Sequence, residues 1–164
     1  MSSTLTLHGT LGNPSVTGII EGREVTIAGA GPSTLASTVD ADLRVATFSN
    51  VTLTSGTNVV NGNATLGIDA NTLAGHFEAS LPDLAAFGAA WPEAWRPSGA
   101  ASISADLSGT LDASVVTIQI ASPGLAAGGQ TIDRATATAT LADDVVAIES
   151  FELTRGTGRL RASG

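Results

Sequence analysis

The stretch Leu81-Pro-Asp-Leu-Ala-Ala-Phe-Gly-Ala-Ala-Trp-Pro-Glu-Ala-Trp-Arg-Pro97 interrupts a chain that otherwise alternates apolar and polar residues. It holds three of the six aromatic residues of the chain: Phe87, Trp91 and Trp95. Leu84, Phe87 and Trp91 are spaced so that their side chains share one face of a helix. The stretch therefore predicts one short helix near residues 82–91, and its aromatic side chains are candidates to cap an exposed apolar sheet.

Strand patterns of period two lie on both sides of this stretch. One pattern runs from Leu35 to Thr47 and predicts a single strand with Val39, Leu43 and Val45 on its apolar face. After the interruption the alternation resumes at Ile103 and continues towards the end of the chain. Thr, Ser, Gly and Val are abundant, as they are in large regular sheets. The sequence therefore predicts an all-β, mainly antiparallel fold.

Composition limits the classes of protein to which the chain can belong. Its 164 residues are enough for one domain with a sizeable core. Charged residues make up 13% of the chain, which is too few for a disordered segment or a coiled coil. The net charge of −8 argues against a nucleic-acid partner, which requires a basic face. Cysteine is absent, so disulfides and thiolate chemistry are excluded.

The two halves of the chain resemble each other when one is shifted by one hundred positions. Gly9-Thr-Leu11 recurs as Gly109-Thr-Leu111, and Leu53-Thr-Ser-Gly-Thr57 recurs as Leu153-Thr-Arg-Gly-Thr157. Repeats that do not close their own core favour an extended, stacked β architecture. The predicted organisation is a β repeat unit over 1–81, a short helix and Pro-rich joint over 82–99, and an incomplete second β unit over 100–164.

The sequence contains no recognisable catalytic or metal-binding motif. Its two histidines, His8 and His76, belong to the polar faces of separate strands, which disfavours a catalytic triad or a His-rich metal site. Asp40 and Asp42 share a strand pattern with Arg44, and we interpret the three as a solvated face. We therefore predict a protein that is not an enzyme, with no catalytic residue, metal ligand or cofactor.

Three weaker patterns also have simple structural interpretations. Asp69-Ala-Asn71 begins like a calcium-binding loop, but Leu73 stands at the third ligand position, so a turn is predicted. Gly29-Ala-Gly31 lacks the downstream glycine and helix that phosphate binding requires. Arg159 and Arg161 have the charge to meet anionic head groups, but arginines on an outward-facing edge also discourage aggregation, and we favour that role.

The predicted apolar strand faces outnumber the elements available to cover them. One short helix cannot cover so many strands, so the faces either pack on one another as a sandwich or barrel, or line a groove that stays open. Apolar burial yields about 25 cal/mol per Å² and is non-directional, so an open groove would hold apolar chains without any special residue. The residues expected to line such a groove are Val39, Leu43, Val45, Leu66, Phe77, Ile103, Leu107, Ala137, Leu141 and Ile148. The residues expected to cap it are Phe87, Trp91 and Trp95.

Three segments of the chain carry a family resemblance. The first is Leu107-Ser-Gly-Thr-Leu111, which follows the Leu-Pro-Asp-Leu-Ala-Ala and Trp-Pro sequences of the interrupting stretch. The others are Leu7-His-Gly-Thr-Leu-Gly-Asn-Pro-Ser-Val16, followed by Thr17-Gly18, and Phe151-Glu-Leu-Thr-Arg-Gly-Thr-Gly-Arg-Leu160. Together they span nearly the whole chain and resemble the C-terminal region of the TamB (translocation and assembly module) family, in the AsmA-like superfamily.

The resemblance implies a curved, U-shaped β "taco" with an apolar interior. Its members are anchored in the inner membrane of diderm bacteria, cross the periplasm, and are linked to phospholipid transport and outer-membrane protein assembly. On this reading the chain is a periplasmic internal segment without the membrane anchor or the extreme C-terminal domain. Its expected partners are acyl chains, neighbouring β repeats of the full-length chain and an outer-membrane assembly protein. The alternative is a structural or adhesive β-solenoid of a bacterial surface protein, which the Thr and Gly richness also suits.

Overall fold

The computed structural model describes residues 2–25 and 32–164. These residues form twelve strands and two short 3-10 helices. The strands are β1 (Ser2–Thr10), β2 (Asn13–Val25), β3 (Ser33–Asp42), β4 (Val45–Ser55), β5 (Asn58–Gly67), β6 (Thr72–Leu81), β7 (Ser98–Gly109), β8 (Ser114–Ala127), β9 (Gln130–Ile132), β10 (Arg134–Ala142), β11 (Val145–Arg155) and β12 (Gly158–Ser163). The 3-10 helices, Leu84–Ala90 and Glu93–Trp95, both lie between β6 and β7.

The strands form one antiparallel sheet in chain order, with β1 at one edge and β12 at the other. β9 departs from this order because it pairs with the end of β8, next to the stretch of β8 that pairs with β10. The sheet does not close on itself, and the prediction of an all-β, mainly antiparallel fold is confirmed. A parallel β-helix would pair its strands in parallel, whereas the described strand pairs are antiparallel.

The predicted short helix is present, but it is a 3-10 helix of seven residues, Leu84–Ala90. Asp83 caps it, because the Asp83 carboxylate accepts a hydrogen bond of 3.0 Å from the backbone N–H of Ala85. Three residues per turn bring Leu84 and Phe87 onto one face, but Trp91 follows the helix with extended backbone angles and is not part of that face. No helix in the described part of the chain has the length and hydrophobicity needed to cross a lipid bilayer.

Cross-strand pairing sorts the side chains onto two faces, since residues paired directly across an antiparallel ladder point the same way. One row of paired residues crosses the sheet from β1 to β11 and contains only apolar residues and glycine. Its members are Leu5, Gly18, Val39, Phe48, Ala64, Gly75, Leu107, Val116, Leu141 and Val146. A row on the opposite face begins Thr6, Thr17, Asp40, Thr47 and Thr65. One face of the sheet therefore carries a continuous apolar row from β1 to β11, and we call it the apolar face.

The prediction of one strand from Leu35 to Thr47 is wrong. Asp42 ends β3, and its carboxylate accepts hydrogen bonds from the backbone N–H groups of Arg44 at 2.7 Å and Val45 at 2.8 Å. These bonds lower the pKa of Asp42 and close a tight turn that contains Leu43, which is 55% exposed. Val45 then pairs with Gly67, so its side chain lies on the polar face. Leu43 and Val45 are therefore not part of the apolar face.

The shift of one hundred positions recurs in the strand boundaries. β4 (45–55) and β11 (145–155) coincide under this shift, and β5 and β12 begin at the equivalent residues Asn58 and Gly158. The positive backbone angles also correspond: Gly9 and Gly109, near the ends of β1 and β7, have φ of 90° and 108°, while Gly56 and Gly156, in the turns after β4 and β11, have φ of 60° and 54°. Positive φ favours glycine, which explains why these residues recur in both halves. Both halves belong to one sheet, because β6 pairs directly with β7.

Large parts of the apolar face are open to solvent. The accessible surface of the chain is 10226 Å², whereas a compact monomer of 16.3 kDa exposes roughly 7,500 Å². Val39 and Leu81 are the buried hydrophobic side chains among the described residues, while Leu7, Ile148 and Leu160 are more than half exposed. Residues 2–25 and 32–164 form a single layer, with no second sheet among them against which it could pack.

Candidate apolar binding site

Residues 82–97 leave the sheet at a point that Asn58 fixes. The side-chain amide of Asn58 donates a hydrogen bond of 2.8 Å to the carbonyl of Asp83, and its Oδ1 accepts one of 3.1 Å from the Asp83 backbone N–H. An amide side chain offers the same donor and acceptor as a peptide group, so Asn58 binds Asp83 as a neighbouring strand would. Asn58 is only 3% exposed, which shields both hydrogen bonds from water.

The far end of this segment rests on the turn between β8 and β9. A Cβ atom added at Gly128 would lie 3.2 Å from the ring of Trp95, so the indole packs directly on this glycine. Gly128 also has a φ of 58°, and both constraints favour glycine at this position. The segment 82–97, which we call the cap segment, is thus held at its start by Asn58 and at its end by Gly128.

An open apolar cavity of about 890 Å³ lies between the cap segment and the apolar face. The cap segment contributes Leu84, Phe87, Trp91, Pro92, Trp95 and Pro97. The sheet contributes Leu81, Ala101, Ile103, Ile120, Ser122, Leu125, Ala127, Ile132, Ala135, Thr136, Ala137, Phe151 and Leu153. None of these lining residues is charged, and the volume is within the range of about 300–1,000 Å³ found for small-molecule sites.

The structure separates the predicted lining residues into three groups. Ile103 and Ala137 line the cavity, together with the three predicted cap residues of the cap segment. Six others share the apolar face outside the cavity: Val39, Leu66, Phe77, Leu107, Leu141 and Ile148. Leu43 and Val45 lie in or after the β3–β4 turn and belong to neither group.

Several cavity residues were missed by sequence reasoning, including Leu125, Ile132, Phe151 and Leu153. Their alternation is visible in the sequence, but their position beneath the cap segment depends on topology. The connection between β6 and β7 lies where the carboxyl-terminal ends of β8 and β11 also lie. It therefore covers the last apolar residues of those two strands. Only the strand order brings these residues together.

The polar face carries one histidine held between two acids. Nδ1 of His76 lies 2.7 Å from Oδ1 of Asp106, and Nε2 lies 3.6 Å from Oε1 of Glu78. The hydrogen bond with Asp106 raises the pKa of His76. This contact links β6 to β7 on the face opposite the cavity. In the described part of the chain, no group of three or more His, Asp or Glu side chains is arranged to hold a metal ion.

The arginines near the end of the chain are paired with a carboxylate. Glu152 accepts hydrogen bonds from Nε of Arg159 at 2.7 Å and from Nε of Arg161 at 2.8 Å. The contact with Arg159 contributes most to lowering the pKa of Glu152. Both arginines lie on β12, at an edge of the sheet, which is where charged side chains discourage strand-to-strand aggregation.

The remaining sequence patterns lie in turns or outside the described residues. Asp69-Ala-Asn71 belongs to the turn between β5 and β6, as predicted, and Asn71 has a φ of 53° there. Asp40 lies within β3, whereas Asp42 caps the turn that follows. Gly29-Ala-Gly31 lies outside the residues that the structure describes.

Comparisons with protein-family models, with curated proteins and with solved structures find no match to this chain.

Proposed function

We propose that this chain binds phospholipid acyl chains on its apolar face, as a segment of a periplasm-spanning lipid conduit of the TamB type that supports outer-membrane assembly. The observation that carries the proposal is the uncharged cavity of about 890 Å³ beneath the cap segment, which opens onto the apolar face of the sheet. The resemblance of three sequence segments to that family supports the same assignment. On this proposal the chain lies in the periplasm and works with an outer-membrane assembly protein.

The chemistry of the cavity favours an acyl chain over a head group. Apart from the indole N–H groups of Trp91 and Trp95, its polar side-chain groups are the hydroxyls of Ser122 and Thr136, and Ser122 already donates a hydrogen bond of 2.6 Å to the carbonyl of Ala100. A charged or strongly polar group placed there would lose its hydration without a charged partner. A hydrocarbon chain needs no partner and gains about 0.8 kcal/mol for each buried CH₂ group.

Chain-length dependence tests the proposal directly. Saturated fatty acids of increasing length, used below their micellar concentrations, should displace a fluorescent fatty acid with affinities that rise about fourfold per CH₂ group. Phospholipids of matched chain length but different head groups should bind with similar affinity. An affinity that depends on the head group and not on the length of the acyl chain would contradict the proposal.

Two substitutions on opposite faces of β10 provide a matched control. Ala137→Phe fills the cavity beside Phe151 and should weaken acyl binding by tenfold or more. Thr138→Phe adds the same ring to the polar face, one residue later, and should leave binding unchanged. Lipid extracted from the purified protein should fall only in the first variant. Equal acyl-chain binding by both variants would show that the cavity is not the binding site.

A further inference from the structure

The edge strand β12 is the structural equivalent of β5, an interior strand. β11 pairs with β12 through Leu153 and Leu160, just as β4 pairs with β5 through Leu53 and Val60. The other pairs between β11 and β12 match those between β4 and β5 in the same way, when one hundred is subtracted from each residue number. The last matching pairs are Phe151 with Ala162 and Val51 with Gly62. The outer edge of β5 is covered by β6, whereas β12 has β11 as its only neighbouring strand in the described sheet.

We propose that the outer edge of β12 binds one further antiparallel strand with the residue pattern of β6. The register follows from the pairs that β5 makes with β6: Val60 with Ala79, Asn61 with Glu78, and Gly62 with Phe77. When β12 takes the place of β5, the residue of the incoming strand that corresponds to Ala79 lies opposite Leu160, and the residue that corresponds to Glu78 lies opposite Arg161. Addition of a strand to an exposed sheet edge is a common mode of peptide recognition.

Charge selects an acidic strand at this edge. The residue of β6 that faces Arg161 in this register is a glutamate, and opposite charges directly across a ladder are stabilising. The bond from Arg161 to Glu152 uses Nε, and a guanidinium group has further N–H donors for a second carboxylate. Two copies of β12 placed edge to edge in antiparallel fashion would bring arginines together, which disfavours that pairing.

One substitution in the repeat refines the sequence of the bound strand. In the interior of the sheet, the ring of Phe77 lies where a Cβ atom at Gly62 would be. The residue equivalent to Gly62 on β12 is Ala162, whose own Cβ occupies that position. The bound strand should therefore carry a smaller residue than phenylalanine opposite Ala162, and valine combines small size with high strand propensity.

The probe is a labelled decapeptide with the sequence of Thr72–Leu81 carrying Phe77→Val. We expect saturable binding by fluorescence anisotropy, together with increased hydrogen-exchange protection of the amides of β12. The peptide with the native Phe77 should bind more weakly. Protection at β1 instead of β12, or no saturable binding at millimolar peptide, would overturn the proposal.

Charge reversal tests the register. A peptide that also carries Glu78→Arg should bind the unaltered protein on the order of tenfold more weakly, and this change leaves the folding of the protein untouched. The Arg161→Glu protein should show the reverse preference. Arg44→Glu, in the β3–β4 turn, changes the net charge equally and should have no effect. Binding that is indifferent to both reversals would rule out the proposed pairing of Glu78 with Arg161.

Discussion

Replacing Asn58 with alanine should release the start of the cap segment while leaving the sheet intact. The substitution removes both hydrogen bonds to the backbone of Asp83 and leaves that peptide group without its partner. Each such bond contributes about 0.5–1.5 kcal/mol, so the expected loss of unfolding free energy is about 1–3 kcal/mol. For a domain of this size, a loss of about 2 kcal/mol lowers Tm by roughly 4–8 °C.

Tryptophan fluorescence reports the effect at the correct place, since both tryptophans of the chain, Trp91 and Trp95, lie in the cap segment. In the Asn58→Ala variant their emission should shift to longer wavelength and acrylamide should quench them more strongly, with unchanged far-UV circular dichroism. The matched control is Asn61→Ala on the same strand. Asn61 is exposed and its Oδ1 accepts a bond of 3.1 Å from Thr52, so its loss should cost less than about 0.5 kcal/mol. Identical quenching in Asn58→Ala and the wild type would refute the anchoring role of Asn58.

Two further outcomes follow from particular contacts. Gly62→Ala would drive a Cβ atom into the ring of Phe77 and should destabilise the sheet by about 1–3 kcal/mol in chemical denaturation, whereas Gly124→Ala, with open space around it, should be close to neutral. The pKa of His76 is raised, so protonated His76 stabilises the folded state through its contact with Asp106. This stabilisation is fully present below the unfolded-state pKa of about 6.5, and it is lost as pH rises through the higher pKa of the folded state. Asp106→Asn should lower the NMR-titrated pKa of His76 and flatten the pH dependence of stability in this range, and an unaltered titration would show that another group raises it.

The sequence predicted the class of the fold because alternation survives in nearly every strand. It failed between Leu35 and Thr47 because the turn contains Leu43 and Arg44, and neither residue is a typical turn former. In β3 the apolar face carries odd-numbered residues, but after the turn it carries even-numbered ones, since Ala41 pairs with Ala46. The sequence signal of this change is Phe48, an apolar residue at an even-numbered position. A register shift between Phe48 and Val51 then returns the odd-numbered residues of β4 to the apolar face.

The cavity was less predictable than the sheet for a different physical reason. Alternation identifies which side chains share a face, but it does not say which strand ends the cap segment covers. That information lies in Asn58, whose role depends on a hydrogen-bonded contact with Asp83 across 25 positions of sequence. A buried asparagine at the start of a strand resembles an ordinary turn residue in sequence, so nothing in the local pattern marks it as an anchor.

The arrangement of the apolar face bears on how far a bound acyl chain can extend. The cap segment covers the ends of β7 to β11, while the apolar row that contains the cavity residue Ile103 continues across the open face through Ala79, Val60, Leu53 and Leu35 to Gly22 on β2. A ligand held only in the cavity would stop gaining affinity once its chain filled about 890 Å³. A ligand that leaves the cavity along the open face would continue to gain affinity with each CH₂ group, because burial is proportional to area and requires no specific residue. Measured affinities that reach a plateau would therefore describe a closed binding site, and a continued rise would describe a surface along which lipids can move.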